Sequence, residues 1–352
     1  MSSVLVAISG GVDSSVAAAL LKDQGYDVVG ITFKNFDRNK IDIETAAKNC
    51  CSSESLNNAR KVCSALNIPH YVINRTKQFE QYVLNNFAET YQNGLTPNPC
   101  VRCNSRVRWP ALIHLADELA VDFIATGHYA RIIENNGHSI ICRAKNKAKD
   151  QSYALWAIKT DYISRTLFPL GDYTKERIRE LAADYKFCNA DYPESQDICF
   201  VAEGKYTDLL GASQEGDIVD SEDKIIGKHK GLIHYTIGQR RGLGISNPEP
   251  LYVLNIDMAN NRLIVGTERL IFKSEFEVSD TNWFIDISDQ QTIRCQAKIR
   301  YRHEPAECVA KIIDSRKAHI TFDKPQRAIT PGQSAVFYDG DMLLGGGVID
   351  KV

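Results

Sequence analysis

The feature that most constrains this chain is a loop near its start, Ser9-Gly10-Gly11-Val12-Asp13-Ser14-Ser15, set between the apolar run Val4 to Ile8 and the helix-patterned Val16 to Leu21. An apolar β-branched run, a glycine pair and then a helical period spell a strand, a tight turn and a helix start. The glycines let the backbone bend sharply and approach a ligand closely, while serines and free N–H groups at a helix start aim donors at an anion. The loop is therefore a candidate phosphate cradle. It lacks the Lys-Ser/Thr ending of the G-x-x-x-x-G-K-[ST] loop, which excludes a grip on β and γ phosphates of that kind.

From Val4 to about Gly127, short β-branched runs alternate with helical patterns, as stacked βαβ units on a parallel sheet do. Strands are predicted at Val4 to Ile8, Val28 to Phe33, Tyr71 to Ile73 and Phe123 to Thr126, with helices between them ended by Gly25 and near Pro69. The fold class is α/β, a doubly wound parallel sheet. Ligands of such sheets sit beyond the carboxyl ends of the strands, so Gly30 to Asn35 and Ala125 to His128 are expected to line one crevice with the loop. Phe33 fits either an adenine or the core.

A chain of 352 residues has room for two or three domains. Its formal charge of -2 does not by itself point to a nucleic-acid partner, which would need locally clustered Lys and Arg. No apolar run approaches the roughly 18 to 20 residues that span a bilayer, and the start carries no basic leader, so no membrane contact and a cytoplasmic protein are expected. There the ten cysteines are thiols, metal ligands or catalytic groups rather than disulfides. Cys63, Cys142, Cys188, Cys295 and Cys308 have apolar neighbours and read as buried thiols, and the Asn49-Cys50-Cys51-Ser52 stretch reads as a structural loop.

Three other cysteines stand out. The segment Gly94 to Asn104 holds two prolines that prevent regular structure and delivers Cys100 and Cys103 to the start of a helix from about Ser105 to Leu119. Helix N–H groups, Arg102 and Arg106 would lower both thiol pKa values from about 8.5 and raise the thiolate fraction. Cys199 ends the polar loop Asn189 to Asp197. Before it come a basic, mobile-looking run, Arg143 to Lys149, a helix starting at Asp150 to Tyr153, and another from Thr174 to Tyr185 with Thr174 as N-cap.

Around Gly204 long helical patterns give way to short alternations, which places a boundary there. Hairpins are expected at Gly216 to Gly227 and Leu251 to Val265, the second turning at Asn260-Asn261. Between them Tyr235 to Gly244 is glycine-rich and basic, either a solvated loop or an RNA contact. From about Lys273 short strands at Ile293 to Tyr301, Cys308 to Ile313, Ala318 to Phe322 and Ser334 to Tyr338 suggest a small antiparallel barrel. Alternation along the first would put Arg294, Lys298, Arg300 and Arg302 on one face, suited to a phosphate backbone or merely solvated.

The string SGGVDSS after a strand and before a helix resembles the PP-loop of the ATP pyrophosphatases. Together with TPNP followed by a cysteine, ATGHY, KDQSY, DICF, HYTIGQRRGLG and TPGQSAVFYDGDMLLGGG, it makes the whole chain resemble the tRNA-specific 2-thiouridylases. That resemblance implies a PP-loop domain (1–204), a small β-rich central domain that contacts tRNA (205–272) and a tRNA-contacting C-terminal antiparallel β-barrel (273–352). It also implies ATP and Mg2+, a tRNA substrate, a sulfur donor or relay protein, and a monomer. By the same resemblance Ala7, Ile8, Ser9, Gly10, Gly11, Val12, Asp13, Ser14, Phe33 and Gly127 form the ATP site, with Asp13 catalytic. Asn98, Pro99 and Cys100 meet the target base, and His128, Lys149, Asp150, Gln151, Arg300, Tyr301 and Gln333 meet tRNA. Cys199 carries a persulfide, and Cys103 is the nucleophile that frees its sulfur and ends in a disulfide with it. Cys100 stands where some members have an Asp. The trio Cys100, Cys103 and Cys199 therefore leaves open an iron-sulfur cluster with one open iron as a second sulfur route. A PP-loop amidotransferase or ligase and a non-catalytic RNA-binding protein are the rival readings.

Overall fold

The computed structural model describes residues 1–36, 53–135, 137–192, 198–201, 210–211, 213–350 and 352. Cys50 and Cys51 with their neighbours, the polar loop at 193–197 and the boundary at Gly204 lie outside the described residues. The chain divides into two compact units: Met1–Leu84 with Pro99–Glu203 and Asp341–Leu343, and Asn85–Asn98 with Gly204–Gly340 and Leu344–Val352.

The first unit opens with β1 (Ser3–Ala7), α1 (Val12–Asp23), β2 (Asp27–Lys34), α2 (Ser53–Ala65), β3 (His70–Asn74) and α3 (Thr76–Phe79). A π-helical turn, Glu80–Leu84, follows; α4 (Asn85–Gln92) belongs to the second unit. The first unit then resumes with α5 (Pro99–Arg102), a π turn at Cys103–Arg108 and α6 (Trp109–Glu118). It continues through β4 (Phe123–Thr126), the antiparallel hairpin of β5 (Ala130–Asn135) and β6 (His138–Arg143), β7 (Thr166–Leu167) and α7 (Lys175–Asp184). Five of these strands form a parallel sheet in the order β3-β2-β1-β4-β7. Val4, Val6, Ala125 and Val16 to Ala19 are fully buried, because a parallel sheet flanked by crossover helices is covered on both faces. The chain runs outward from β1 through β2 to β3 and then returns to the other side of β1 as β4. The switch point therefore lies between β1 and β4, and the loops after those two strands share it.

The helix expected from Ser105 begins earlier, at Pro99, a residue suited to a first helical position because its missing N–H has no partner to lose there. Cys100 lies in the first turn, exposed, while Cys103 lies four residues in and is buried. Cys100 thus stands at the helix start and Cys103 inside the run. The π turn has a local cause. Pro110 cannot donate to an i−4 carbonyl, and the wider turn before it moves the bonding out by one residue, with Trp109 N–H donating to Asn104 O. The helix expected to start at Asp150 is only a 3₁₀ turn, Ser152–Ala154, whereas α7 starts as expected, Thr174 Oγ1 accepting from Arg177 N–H at 3.2 Å.

The second unit carries β8 (Gly216–Val219), β9 (Ile225–His229), β10 (Leu251–Asp257) and β11 (Arg262–Thr267) in the order β10-β11-β8-β9. Asn261, at φ +50°, turns the second hairpin as the Asn-Asn pair suggested. Next come β12 (Phe272–Trp283), β13 (Thr292–Lys298), β14 (Ala306–Asp314), β15 (Lys317–Arg327), β16 (Ser334–Asp339) and β17 (Met342–Ile349). Their order β12-β15-β14-β13-β16-β17 is closed by pairing of β12 with β17, which makes a six-stranded antiparallel barrel. Trp283 stacks on Phe337 inside it, centroids 5.2 Å apart. β13 ends at Lys298, so Arg300 and Arg302 fall outside the strand and the expected four-cation stripe does not form. Arg294 is instead tied to Asp323, and Lys298 is buried with its ammonium 5.6 Å from the Tyr301 ring centre.

Of the cysteines expected in apolar cores, Cys63, Cys142, Cys295 and Cys308 are buried, but Cys188 is exposed, its thiol facing the Asn58 side-chain oxygen at 3.8 Å. Burial pushes the Cys63 thiol up to about 12. Cys295 and Cys308 face each other across β13 and β14 with sulfurs 3.6 Å apart, and that contact together with burial raises the Cys308 thiol further still. Brief alkylation of the native protein at pH 8 should therefore leave Cys63, Cys295 and Cys308 unmodified until denaturant is added. Native-state labelling of any of them, read by peptide mass, would contradict these core placements.

Candidate active site

The loop after β1 closes on itself through its own serines. Ser14 Oγ accepts from Ser9 N–H at 3.1 Å and donates to Gly11 O, and Ser15 Oγ donates to the same carbonyl at 2.9 Å. Gly10 adopts φ +83°, and a Cβ there would stand 1.9 Å from Ser55 O, so neither the conformation nor the space admits a side chain. Gly127, just after β4, presses on the same loop, since a Cβ on it would lie 2.8 Å from Ser14 N. Gly10, Gly11, Val12 and Ser14 thus bring the start of α1 to the switch point, with Ala7 and Ile8 leading in and Phe33 at the carboxyl end of β2. Phe33 is buried.

Asp13 is the charged centre of this loop. Its Oδ1 accepts from Tyr129 Oη and from Lys175 Nζ, each at 2.7 Å, while its side chain keeps 34% of its surface exposed. Both bonds fall on one oxygen, which leaves Oδ2 as a hard oxygen donor of the kind magnesium takes. Lys175 is buried at the first position of α7, and its ammonium is costly there without an anion. Asn189, also buried, donates from Nδ2 to Gly10 O at 2.8 Å and Ser15 Oγ at 3.0 Å. Tyr129, Lys175 and Asn189 were not singled out by sequence. Tyr129 closes the ATGHY string and Lys175 follows a recognisable N-cap, but nothing local marks Asn189.

The cysteines are placed by packing. Phe200, next to Cys199, packs edge-on against Phe79 of α3 at 5.7 Å, and α3 packs against the π turn that begins with Cys103. Cys199 is half-buried. Among the described residues no three His, Cys, Asp or Glu side chains are gathered so as to hold a metal ion. Cys100 is exposed and Cys103 buried on the same helical run, and Cys199 is half-buried beside Phe200.

Behind Cys103 the next residue, Asn104, is buried and donates to Ala154 O while accepting from Arg108. Arg108 also donates toward His128 Nε2 at 3.3 Å, and His128 Nδ1 meets Thr126 Oγ1 at 2.8 Å. Burial between Trp109 and Phe168, helped by the Arg108 charge, lowers the His128 pKa to about 3. Both shifts favour the neutral ring near pH 7.

The KDQSY stretch is held by its own hydrogen bonds. Asp150 is only 2% exposed and accepts from Ala144 N–H at 3.0 Å, Ser152 N–H at 3.3 Å and Ser152 Oγ at 2.9 Å. Gln151 exchanges bonds with the Tyr129 backbone, its Oε1 accepting from Tyr129 N–H and its own N–H donating to Tyr129 O. The Asp150 carboxylate is thus turned inward, directly after the 3₁₀ turn that carries Lys147 and Lys149.

Asn98, Gln333, Arg300 and Tyr301 belong to the second unit, while Pro99 and Cys100 open the next stretch of the first. Gln333 donates to Thr96 O at 3.3 Å and Pro97 O at 3.0 Å, and Thr96 N–H donates to Pro331 O, so the segment before Asn98 is strapped to the barrel. Arg300 donates to Arg327 O at 2.6 Å, and Tyr301 is 47% exposed.

Family models match the chain as a tRNA methyl transferase HUP domain over residues 2–203, a tRNA methyl transferase PRC-barrel domain over 207–267 and an aminomethyltransferase beta-barrel domain over 273–349. A tRNA-specific 2-thiouridylase MnmA of Halothermothrix orenii is 44% identical across 100% of this chain and 99% of the relative. The Clostridium acetobutylicum protein of the same name is 43% identical across 98% of this chain and 99% of its own. A solved structure of a 4-thiouridine synthetase with RNA and ATP aligns with TM-score 0.39 and 17% identity, over 58% of this chain and 46% of that one. With relatives this similar along its whole length and a HUP-domain match over more than half of it, the chain belongs to the tRNA-specific 2-thiouridylase (MnmA) family.

Proposed function

We propose that this protein thiolates tRNA at position 2 of the wobble uridine, using ATP to activate the base and a cysteine persulfide to supply the sulfur. The observation that carries this reading is the Asp13-centred phosphate loop at the switch point, in the same unit as Cys103 and the Phe79-anchored Cys199. The curated relatives bear the name 2-thiouridylase, while the family-model description speaks of methyl transfer. The loop favours the former, because a cradle of serines and helix N–H groups grips pyrophosphate and offers nothing to a methyl donor.

A ring carbonyl oxygen is a poor leaving group, so the uridine O2 first attacks the α-phosphorus of ATP. Pyrophosphate departs and the base is left as an O-adenylate. The Ser9 to Ser14 loop and Gly127 hold the phosphates, and Phe33 is placed for the adenine. Magnesium fits Asp13 Oδ2 and would supply positive charge to the phosphates. The donor protein leaves sulfur on Cys199 as a persulfide. Its outer sulfur attacks C2 and AMP leaves. The Cys103 thiolate then attacks the inner sulfur of Cys199, which breaks the S–S bond, frees the thiocarbonyl and forms a Cys103–Cys199 disulfide that a thiol reductant must reopen.

Asn98, Pro99 and Cys100 are proposed to meet the target base. His128, Lys149, Gln151, Arg300 and Tyr301 are proposed to meet tRNA, with Asp150 and Gln333 acting by holding the segments that do. In this reading residues 1–204 carry the chemistry, and residues 205–272 and 273–352 add RNA-binding surface.

Replacing Cys199 by Ser should abolish thiouridine while leaving tRNA-dependent AMP formation measurable, because adenylation precedes sulfur transfer. Thiouridine at the wild-type level in C199S, read by nucleoside mass spectrometry, would remove Cys199 from the reaction. Arg300→Gln should weaken tRNA binding and lower the slope of log affinity against log salt by about 1, the share of one phosphate contact. An unchanged slope would take Arg300 off the RNA path.

A further inference from the structure

We propose that Arg108 is a catalytic residue that grips the α-phosphate of ATP, and of the adenylate formed from it, through the Nε and Nη2 edge of its guanidinium. This rests on the ATP reading given above.

Arg108 closes the π turn Cys103–Arg108, directly before α6. Its Nη1 donates to Asn104 Oδ1 at 2.8 Å and toward His128 Nε2 at 3.3 Å. A guanidinium has donors only, so His128 Nε2 is the acceptor and the neutral ring carries its proton on Nδ1, which donates to Thr126 Oγ1 at 2.8 Å. Both acceptors of Arg108 are thus neutral, and among the described residues no carboxylate lies within ion-pair distance of it. The side chain is half-buried, a setting in which a cation is normally kept paired.

The two bonds spend one nitrogen and aim the others. Nη1 has two hydrogens, one for each acceptor, which fixes the plane of the head. Nε and Nη2 lie on the other edge, where parallel N–H bonds make the fork that takes two oxygens of a carboxylate or phosphate. Neither makes a hydrogen bond among the described residues, and neither is sealed from solvent. The fork is preorganised and open.

Its place selects the phosphate. One anchor, His128, follows Gly127, which packs on Asp13 and Ser14 so closely that a Cβ there would stand 2.8 Å from Ser14 N. The other, Asn104, follows Cys103. In the proposed reaction the loop keeps the β and γ phosphates and sulfur arrives from the cysteine side, so the α-phosphorus lies between the two. Attack of the uridine O2 forms the O2–P bond and breaks the bond from the α-phosphorus to the oxygen that leaves with pyrophosphate. Later the C2–O2 bond breaks, and that oxygen departs on AMP with the bonding pair. In both steps negative charge is carried by α-phosphate oxygens, and a guanidinium already in position stabilises it without reorganisation.

The test is calorimetric binding of ATP and of inorganic pyrophosphate to the full-length protein with Mg2+, with melting temperature as the check on folding and tRNA affinity against salt measured alongside. R108Q should weaken ATP about 10- to 100-fold, the loss of charge-assisted hydrogen bonds, and leave pyrophosphate within about twofold of wild type. R108K keeps the charge and loses the fork, so its ATP affinity should fall between the two. If Arg108 were only a strut between Asn104 and His128, R108Q would bind ATP like wild type or lose both ligands alike, and either result overturns the proposal. So does an unchanged ATP affinity with a tRNA salt slope lowered by about 1, the mark of an RNA backbone contact. Should R108Q fail to fold, R108K decides: a loss confined to ATP supports the contact, and equal losses or none overturn it. Wild-type protein that binds neither ligand removes the ATP reading itself, whereas a competent wild type with an unaffected R108Q removes only the role of the arginine.

Discussion

The structure turns on how closely two loops approach at the switch point of the parallel sheet. Gly127 touches the Asp13–Ser14 backbone with no room for a methyl group, and Gly10 touches Ser55 more tightly still. These contacts fix the start of α1 against the ends of α2 and β4. Tyr129, Lys175 and Asn189 then hold the loop from outside it. A phosphate cradle works by preorganisation, since donors already in place lose nothing when charge arrives.

The sulfur side is organised by different physics. Thiol reactivity depends on exposure and nearby charge, and the described cysteines separate on that basis. Cys63, Cys142, Cys295 and Cys308 are buried; desolvation raises the thiols of Cys63 and Cys142, and the Cys295 contact together with burial raises that of Cys308. Cys100 and Cys199 are at least partly open, and Cys103 starts a π turn beside the hydrogen-bonded trio Asn104, Arg108 and His128. A π turn is often found where function needs a helix to depart from its regular period. Here Pro110 provides the local cause and Cys103 gains the unusual position.

What could be read from the sequence was local. The strand, loop and helix around Ser9 to Ser15, the ATGHY strand end, the Thr174 cap and the Asn260-Asn261 turn each declare themselves within a few residues. The rest depended on partners far apart in the chain: Lys175 reaches Asp13 across 162 positions, Asn189 reaches Gly10 across 179 and Gln333 reaches Thr96 across 237. Charge was misleading wherever depth decided the outcome. Asp150 sits in a polar string yet turns inward to satisfy backbone N–H groups, and Arg300 falls past the end of its strand, so alternation does not set its direction. The closing strands β12 and β17 were missed because β12 is bulged and β17 is glycine-rich, which breaks the period-two signal.

In the proposed reaction ATP is split between its α and β phosphates to activate a tRNA base. The direct measurement supplies wild-type protein with α-labelled ATP, an unmodified tRNA transcript and a persulfide donor, and follows nucleotide and nucleoside together. The expected result is AMP and pyrophosphate formed only with tRNA and in step with 2-thiouridine. Thiouridine made without nucleotide consumption, or ADP as the product, would contradict it.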